Sequence, residues 1–245
     1  MINIENYTEM ADYLLEQYPN EACGILKDNR FIPITNTATN PTEAFEFHPA
    51  EWFKLKEAAQ AIVHSHCFSS TRQPHLGLDG RTPSTTDFIN QKKTNLPWII
   101  FALDGENISE PVEFPQSRDR ELLGRPFIYL VSDCWNVVQD YYHQRFQITL
   151  PDHPIEDGYK WEENRDGRDG KNYFDYLLEW GFKEVRLDDM QIGDIIVMSV
   201  RGKCNHVGVY YEENYILQQL AKNVSCTLPI NKMASFINHI FRKAE

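Results

Sequence analysis

Residues 61–66 read AIVHSH, an apolar run that ends in two histidines. A short continuous apolar run predicts a buried strand, and the histidines stand where this strand would leave the core. Residues two apart on a strand project to the same face, so His64 and His66 are able to bind one ion together. The stretch predicts a metal-binding strand edge if a third ligand comes from elsewhere in the chain.

The residues around this stretch predict a first domain of mixed helices and strands. We expect helices at residues 8–18, 49–60 and 84–93, and strands at residues 22–27, 30–35, 61–66 and 96–104. The polar segment that follows lacks clear periodicity and is predicted to be a linker. The resulting division is a first domain at residues 1–113, a linker at 114–123 and a second domain at 124–245.

The second half of the chain predicts an α+β domain, because a helix is followed by a run of strands. A helix is expected at residues 134–146, and the charged residues 151–172 are expected to form a surface excursion. A second helix is predicted at 172–182. The predicted strands that follow are residues 187–200, 205–213 and 214–220.

Composition excludes several classes of function. Lys and Arg total 24 against 36 Asp and Glu, which gives a formal net charge of −12 at pH 7. A net acidic chain repels phosphate backbones, so nucleic acid is not expected as a main partner. No run of about 18 apolar residues is present, so no membrane span is expected. The N-terminus lacks a secretory-signal pattern, and we expect synthesis in the cytoplasm.

Three further residues would complete a hydrolytic site around the two histidines. Zinc favours imidazole nitrogen and carboxylate oxygen, and Asp87 at the start of a predicted helix can supply the carboxylate. Ser84 stands one turn earlier and can donate a hydrogen bond to a developing oxyanion. Glu21 precedes the first strand and can act as the general base. Each residue alone also has an ordinary interpretation as a strand-end histidine, a helix cap or a solvated glutamate.

Together, three segments resemble the JAMM (MPN) metalloprotease motif, namely PNEACGIL at residues 19–26, HSH at 64–66 and PSTTD at 83–87. The resemblance implies an α/β/α sandwich that holds one zinc ion and cleaves peptide or isopeptide bonds. The implied zinc ligands are His64, His66 and Asp87, with Glu21 as general base and Ser84 as oxyanion donor.

This chain departs from the motif in one loop. The 17 residues of segment 67–83 exceed the usual spacing by about ten, and an insertion of this size costs little entropy. His75 and Asp79 lie inside the loop and are alternative ligands. We interpret them as surface residues.

Five cysteines without a CxxC motif predict neither a disulfide framework nor a four-cysteine zinc site, and one of them is a candidate nucleophile. Cys134 begins a predicted helix, whose dipole favours a thiolate at this end. His206 can serve as its base, and Gln218 on the next strand can orient the imidazole. Cys204 is a second candidate thiol, without a helix N-terminus. The alternative for Cys134 is a small buried hydrophobic residue.

Several stretches of the second half resemble the NlpC/P60 cysteine peptidases: GRPFIY at 124–129, SDCW at 132–135, GDII at 193–196 and NHVGVY at 205–210. The resemblance implies a papain-like α+β fold with a Cys-His-polar triad that cuts peptidoglycan stem peptides. Carried over, the catalytic residues are Cys134, His206 and Gln218. Histidine is commoner than glutamine at the third position, and the adjacent Gln219 is an alternative orienter. Leu130 stands where a glycine is common.

The combination of both domains resembles a family of tail assembly proteins in lambda-like tailed phages. It implies a bifunctional peptidase located at the virion tail tip, with zinc as cofactor. The implied partners are other tail-tip proteins and a peptide or peptidoglycan substrate. One alternative is a non-catalytic assembly factor that uses both folds as binding modules. Another is a cell-wall hydrolase with only the second domain active.

Overall fold

The structure, a computed structural model, describes residues 3–67, 80–152, 171–200 and 203–244. The chain divides into two compact units, Met1–Gln116 and Ser117–Glu245. Within the described ranges, no helix is both long enough and apolar enough to cross a membrane.

In the described part of the first unit, one helix precedes the strands and two further helices lie between strands along the chain. The helices are α1 (Tyr7–Glu16), α2 (Pro49–Leu55), which a 3-10 turn (Lys56–Ala58) extends, and α3 (Thr85–Thr94). The strands are β1 (Cys23–Lys27), β2 (Arg30–Ile34), β3 (Ala61–Cys67), β4 (Trp98–Leu103) and β5 (Val112–Phe114).

Helices cover both faces of the first sheet where the histidines lie. The strand order is β2-β1-β3-β4-β5, with β3 and β4 parallel and the other neighbours antiparallel. Val63 of β3 packs with Met10 of α1 on one face. The alternate residues of β3 project to the other face, where α3 brings Asp87 to His64 and His66.

The second unit combines short helices with one antiparallel sheet. Its described helices are α4 (Cys134–Phe146), α5 (Tyr173–Glu179) and α6 (Ile230–Met233), with 3-10 turns at Leu187–Asp189 and Ala234–Phe236. Its strands are β6 (Phe182–Val185), β7 (Ile195–Val200), β8 (Lys203–Glu212), β9 (Tyr215–Gln218), β10 (Cys226–Pro229) and β11 (Ile237–Lys243).

The core of the second unit lies between α4 and the sheet. The strand order is β10-β9-β8-β7-β11-β6, with every neighbour antiparallel. Trp135 and Val138 of α4 pack against Val207 and Leu217 of the central strands, and all four are fully buried. This core holds the start of α4 against β8, which positions the residues predicted as catalytic.

Four strands are not predicted by hydrophobic periodicity. Three of them, β5, β6 and β10, are edge strands of three or four residues, too short to show an alternating pattern. The fourth, β11, lies between β7 and β6. The strand expected at 187–200 begins only at Ile195, because its first residues form a 3-10 turn.

A buried carboxylate fastens the start of the second unit to α4. Asp140 is fully buried and accepts hydrogen bonds from the guanidinium groups of Arg118 (2.9 Å) and Arg120 (2.8 Å), and also from Arg125. The side-chain amide of Gln144 donates to the backbone carbonyls of Arg118 and Arg120 at 2.7 and 2.8 Å. Both arginines lie in the predicted linker, and this part of it is therefore held by the second unit.

Candidate functional site

Three side chains of the first unit converge on one point. The Nε2 atoms of His64 and His66 are 3.1 Å apart. One carboxylate oxygen of Asp87 lies 3.2 Å from Nε2 of His66, and the other lies 3.5 Å from Nε2 of His64. His64 and Asp87 are buried, whereas His66 is partly accessible. The structure thus brings together the three residues predicted as metal ligands.

Strand pairing and a helix cap fix these side chains. In the sheet, His64 stands opposite Cys23 on one side and Ile100 on the other. Ser84 caps α3: its hydroxyl accepts the Asp87 N–H at 3.1 Å, and its own N–H donates to the Asp87 carboxylate at 2.7 Å. This reciprocal capping box orients the carboxylate locally, so the long preceding loop does not displace Asp87.

The hydrogen-bond partners and pKa values of the three side chains indicate which of their atoms can bind an ion. Nδ1 of His66 lies 2.9 Å from the carbonyl oxygen of Gly80. A carbonyl only accepts, so Nδ1 carries a hydrogen, and in the neutral imidazole Nε2 keeps its lone pair. Burial lowers the pKa of His64, although Asp87 opposes this. Burial alone would raise the pKa of Asp87, but the two histidines outweigh it and hold that pKa well below its usual value.

Both the donor set and its spacing fit a zinc ion. Tetrahedral zinc with bonds of about 2.0–2.2 Å puts neighbouring ligand atoms about 3.3–3.6 Å apart. The measured separations of 3.1, 3.2 and 3.5 Å lie close to this range. Three protein ligands also leave one tetrahedral position open, as catalytic zinc sites require. The alternative ligands His75 and Asp79 lie outside the described residues.

Glu21 and Ser84, predicted as general base and oxyanion donor, differ in their exposure and in their link to this cluster. Glu21 is buried, and continuing the β1–β3 register places it opposite His66. Burial alone would lower the pKa of His66, but Asp87, with a further contribution from the charge of Glu21, raises it. The Asn36 amide donates to the Glu21 carbonyl oxygen at 2.8 Å. Ser84 is exposed, and its cap uses the hydroxyl oxygen but not the hydroxyl hydrogen.

In the second unit, Cys134 is the first residue of α4. The carboxylate of Asp133 caps this helix by accepting two backbone N–H groups of its first turn, at 3.0 Å each. Cys134 is 7% exposed. The backbone N–H of Val207 in β8 lies against its sulfur, which places the thiol next to the strand that carries His206.

The Cys134 thiol is neutral, whereas the helix dipole predicts a thiolate. Burial raises the pKa of Cys134 to about 12, and the negative charge of Asp133 adds to this effect. The N–H of Val207 and the hydroxyl of Tyr173, whose oxygen is 3.8 Å from the sulfur, act in the opposite direction without compensating. The helix N-terminus acts in the predicted direction, through the Trp135 N–H, but the desolvation of a nearly inaccessible sulfur outweighs it.

His206 and Gln218 form a direct pair. Nε2 of His206 lies 2.7 Å from Oε1 of Gln218, and both side chains are buried. An amide oxygen only accepts, so Nε2 carries the hydrogen and Nδ1 keeps a lone pair. Burial lowers the pKa of His206 to about 4, against the opposing effects of Gln218 and Asp133. The alternative orienter, Gln219, instead donates to the Arg125 carbonyl oxygen at 2.8 Å.

Cys134 lies against β8 at the residue next to His206, but the two side chains are not joined. Within the described residues, no hydrogen bond links the sulfur to the imidazole, and the thiol pairs with Tyr173 instead. The charge of Asp133 acts on both groups, and Val207 connects them through its backbone. Catalytic hydrogen bonds are often long in the absence of substrate, so this arrangement is compatible with a nucleophile and its base.

The backbone at Leu130 and at Gly208 helps to position Asp133 and Gln218, respectively. Leu130 adopts φ +66°, in the left-handed region that favours glycine, and its N–H donates to Asp133 at 2.9 Å. A Cβ on Gly208 would lie 2.8 Å from the Leu217 carbonyl oxygen and 3.3 Å from Cβ of Gln218. Glycine at 208 therefore lets β9 approach closely enough for Gln218 to reach its partner.

Cys204 and Tyr173 are two further residues of the second unit that concern a thiol. Cys204, the second candidate thiol, is partly exposed in β8, and its sulfur lies 3.6 Å from the Ser199 hydroxyl. Tyr173 is not singled out by sequence reasoning, since it lies 39 positions after Cys134 in the chain. Its only sequence signal is the capping residue Asn172 directly before it.

Residues 123–241 match the NlpC/P60 family, which confirms the domain expected for the second half. The chain is 32% identical over 223 residues to the tail tip assembly protein K of Escherichia phage N15, covering 87% of this chain and 83% of the relative. It is 27% identical over 183 residues to the protein of the same name from Escherichia phage lambda, covering 72% and 78%. The chain therefore belongs to the tail tip assembly protein K family and carries an NlpC/P60 domain in its second half.

Proposed function

We propose that this chain is a peptidase that acts in phage tail-tip assembly, with Cys134 as the nucleophile of its second unit. The observation that carries the proposal is the 2.7 Å hydrogen bond between His206 Nε2 and Gln218 Oε1, which leaves Nδ1 of the imidazole free to act as a base. Peptidoglycan stem peptides are the proposed substrate class, and other tail-tip proteins are the proposed partners. The virion tail tip is the proposed location, after synthesis in the host cytoplasm.

Hydrolysis by this site would begin from two neutral groups. The Cys134 proton passes to Nδ1 of His206 as the sulfur attacks the peptide carbonyl, and the imidazolium donates to Oε1 of Gln218. The tetrahedral adduct collapses to a thioester, and the leaving amine takes its proton from His206. Water then hydrolyses the thioester and restores the thiol. An amide oxygen stabilises the imidazolium through its dipole, whereas a carboxylate would do so with a full charge.

For the first unit we propose a JAMM-like α/β/α domain with a zinc-dependent peptide or isopeptide hydrolase site. Its ligands would be His64, His66 and Asp87, whose separations lie close to those of a tetrahedral site. When bound, zinc supplies Lewis-acid polarisation for hydrolysis.

Two neighbouring residues would move the proton and stabilise the developing charge. Glu21, which acts electrostatically on His66, would accept a proton from the attacking water and deliver it to the leaving amine. The Ser84 hydroxyl would donate its hydrogen to the developing oxyanion while its oxygen keeps the helix cap.

Zinc content tests the first site. We expect about one zinc per purified full-length chain, measured by atomic absorption. His64→Ala should lose this zinc, and His143→Ala, which changes a histidine of the second unit, should retain it. A metal-free wild type that also fails to take up added zinc would rule the site out.

Release of soluble peptides from purified peptidoglycan tests the second site. We expect Cys134→Ser to abolish release and Asp87→Ala to leave it intact, because the two sites use separate residues. Loss of release in Asp87→Ala alone would assign the activity to the first unit.

A non-catalytic assembly factor is the second candidate function. The buried neutral thiol, which is not hydrogen-bonded to His206 in the described part of the chain, favours it. This candidate predicts that tail assembly proceeds normally with Cys134→Ser and Asp87→Ala combined. Complementation of a phage that lacks the gene measures the outcome directly.

A further inference from the structure

We propose that Tyr173 is a further catalytic residue of the cysteine site, donating its phenol hydrogen to the Cys134 sulfur and then to the carbonyl oxygen under attack. This inference rests on the proposed cysteine peptidase function of the second unit. Cys134, His206 and Gln218 would supply a nucleophile, a base and the orienter of that base. Tyr173 adds a side-chain donor at the sulfur itself.

Tyr173 is held in place from two sides. It is the first residue of α5, whose cap Asn172 accepts the backbone N–H of Phe174 at 2.8 Å. Its ring centroid lies 5.7 Å from that of Trp135, the residue after Cys134. The phenol oxygen is 3.8 Å from the sulfur, and Tyr173 is 2% exposed. The contact is therefore built into the core and does not depend on a mobile surface side chain.

The phenol acts as a donor in this position. Burial raises the pKa of Tyr173 well above its usual value, and the negative charge of Asp133, with that of Cys134 once it is a thiolate, raises it further. Tyr173 therefore keeps its hydrogen wherever the peptidase would work. The same hydrogen bond lowers the pKa of Cys134, although burial outweighs it. A donor that stabilises negative charge near the sulfur offsets part of the cost of forming a thiolate inside the protein.

The bond changes of the reaction place the developing charge within reach of the same hydroxyl. As the S–C bond forms, the carbonyl π pair moves onto oxygen, and the Cys134 proton moves to His206. That oxygen is attached to the carbon bonded to the sulfur, so a donor at hydrogen-bonding distance from sulfur can also reach it. Tyr173 keeps its proton throughout, and the leaving amine takes a proton from His206.

Alkylation kinetics test the contact independently of any substrate. Tyr173→Phe keeps the ring that packs on Trp135 and removes only the hydroxyl. The control variant is Tyr142→Phe. Tyr142 is a buried tyrosine about two turns after Cys134 in α4, and its hydroxyl donates to the Gly193 carbonyl oxygen at 2.7 Å. Iodoacetamide labelling of the full chain is followed from pH 7 to 10, with Cys134 quantified by peptide mass spectrometry.

We expect the rate at Cys134 to fall about tenfold in Tyr173→Phe at each pH and to stay unchanged in Tyr142→Phe. The partly exposed Cys204 and Cys226 are internal standards for reagent concentration and folding. Equal rates in wild type and Tyr173→Phe, or an equal loss in both variants, would overturn the proposal.

Hydrolysis kinetics separate this proposal from the proposed function. On a purified peptidoglycan stem peptide, we expect kcat of Tyr173→Phe to fall about a hundredfold at unchanged KM. Wild-type kcat in Tyr173→Phe, with no activity in Cys134→Ala, would reject the role of Tyr173 and leave the peptidase intact. An inert wild type would reject the peptidase on this substrate, and the alkylation rates would then decide whether Tyr173 donates to the sulfur.

Discussion

Buried His206 should make the stability of the second unit sensitive to mild acid. Its pKa is about 4 in the folded protein, against 6.5 for an ordinary histidine. Above pH 6.5 neither state binds the proton, and stability is unaffected. As the pH falls from 6.5 towards 4, the unfolded chain binds a proton that the folded chain excludes. The free energy of unfolding should therefore fall by about 3 kcal/mol across this window.

The matched variant is His206→Gln, which keeps a polar side chain and removes the titrating ring. All other histidines are shared, so their effects cancel when the two proteins are compared. Urea unfolding from pH 7.5 to 4.5 is followed by fluorine NMR of 5-fluorotryptophan at Trp135 and Trp180, which report on the second unit alone. Wild type should lose stability relative to His206→Gln by an amount that grows below pH 6.5.

A difference in stability that stays constant from pH 7.5 to 4.5 would refute the burial argument. The same conclusion would follow if NMR titration of the His206 ring gave a pKa near 6.5. Retention of the low pKa without any change in relative stability would mean that the unfolded chain also shields this ring.

Further substitutions test the remaining structural claims. Ser84→Ala removes the cap that orients Asp87, and should cost about 1 kcal/mol of stability and lower zinc affinity about 10- to 100-fold in a chelator competition. Gly208→Ala places a Cβ against β9 and should destabilise the second unit by about 1–3 kcal/mol, with loss of the Gln218 contact; an unchanged Tm would contradict this. Asp140→Ala leaves three guanidinium groups without their shared carboxylate and should cost about 3–5 kcal/mol in urea unfolding.

In the first site, the direction of each ligand side chain follows from local sequence patterns, whereas the approach of α3 to β3 does not. Strand alternation puts His64 and His66 on one face, and the Ser84 capping box fixes Asp87 within its own helix turn. The length of the intervening loop does not enter either argument. The position of Glu21 was harder to predict, since it depends on the register between β1 and β3 and not on sequence spacing.

The charge state of the second site could not be predicted from the sequence. A helix N-terminus favours a thiolate, but the burial of Cys134 comes from distant residues, among them Tyr173 and Val207. The choice between Gln218 and Gln219 also depends on tertiary contacts, since one meets His206 and the other meets a backbone carbonyl. Sequence patterns predict which residues form the candidate site, but the local dielectric is a property of the packed unit.

The protonated, inaccessible sulfur of Cys134 also bears on how the protein withstands oxidants. Peroxides react with thiolates at accessible positions, and the Cys134 thiol meets neither condition. The partly exposed Cys204 and Cys226 would form sulfenic acid or mixed disulfides first. An aerobic preparation could thus show extensive sulfur modification and still retain an unmodified Cys134, so total free-thiol counts would be a poor measure of the fraction in which this thiol is intact.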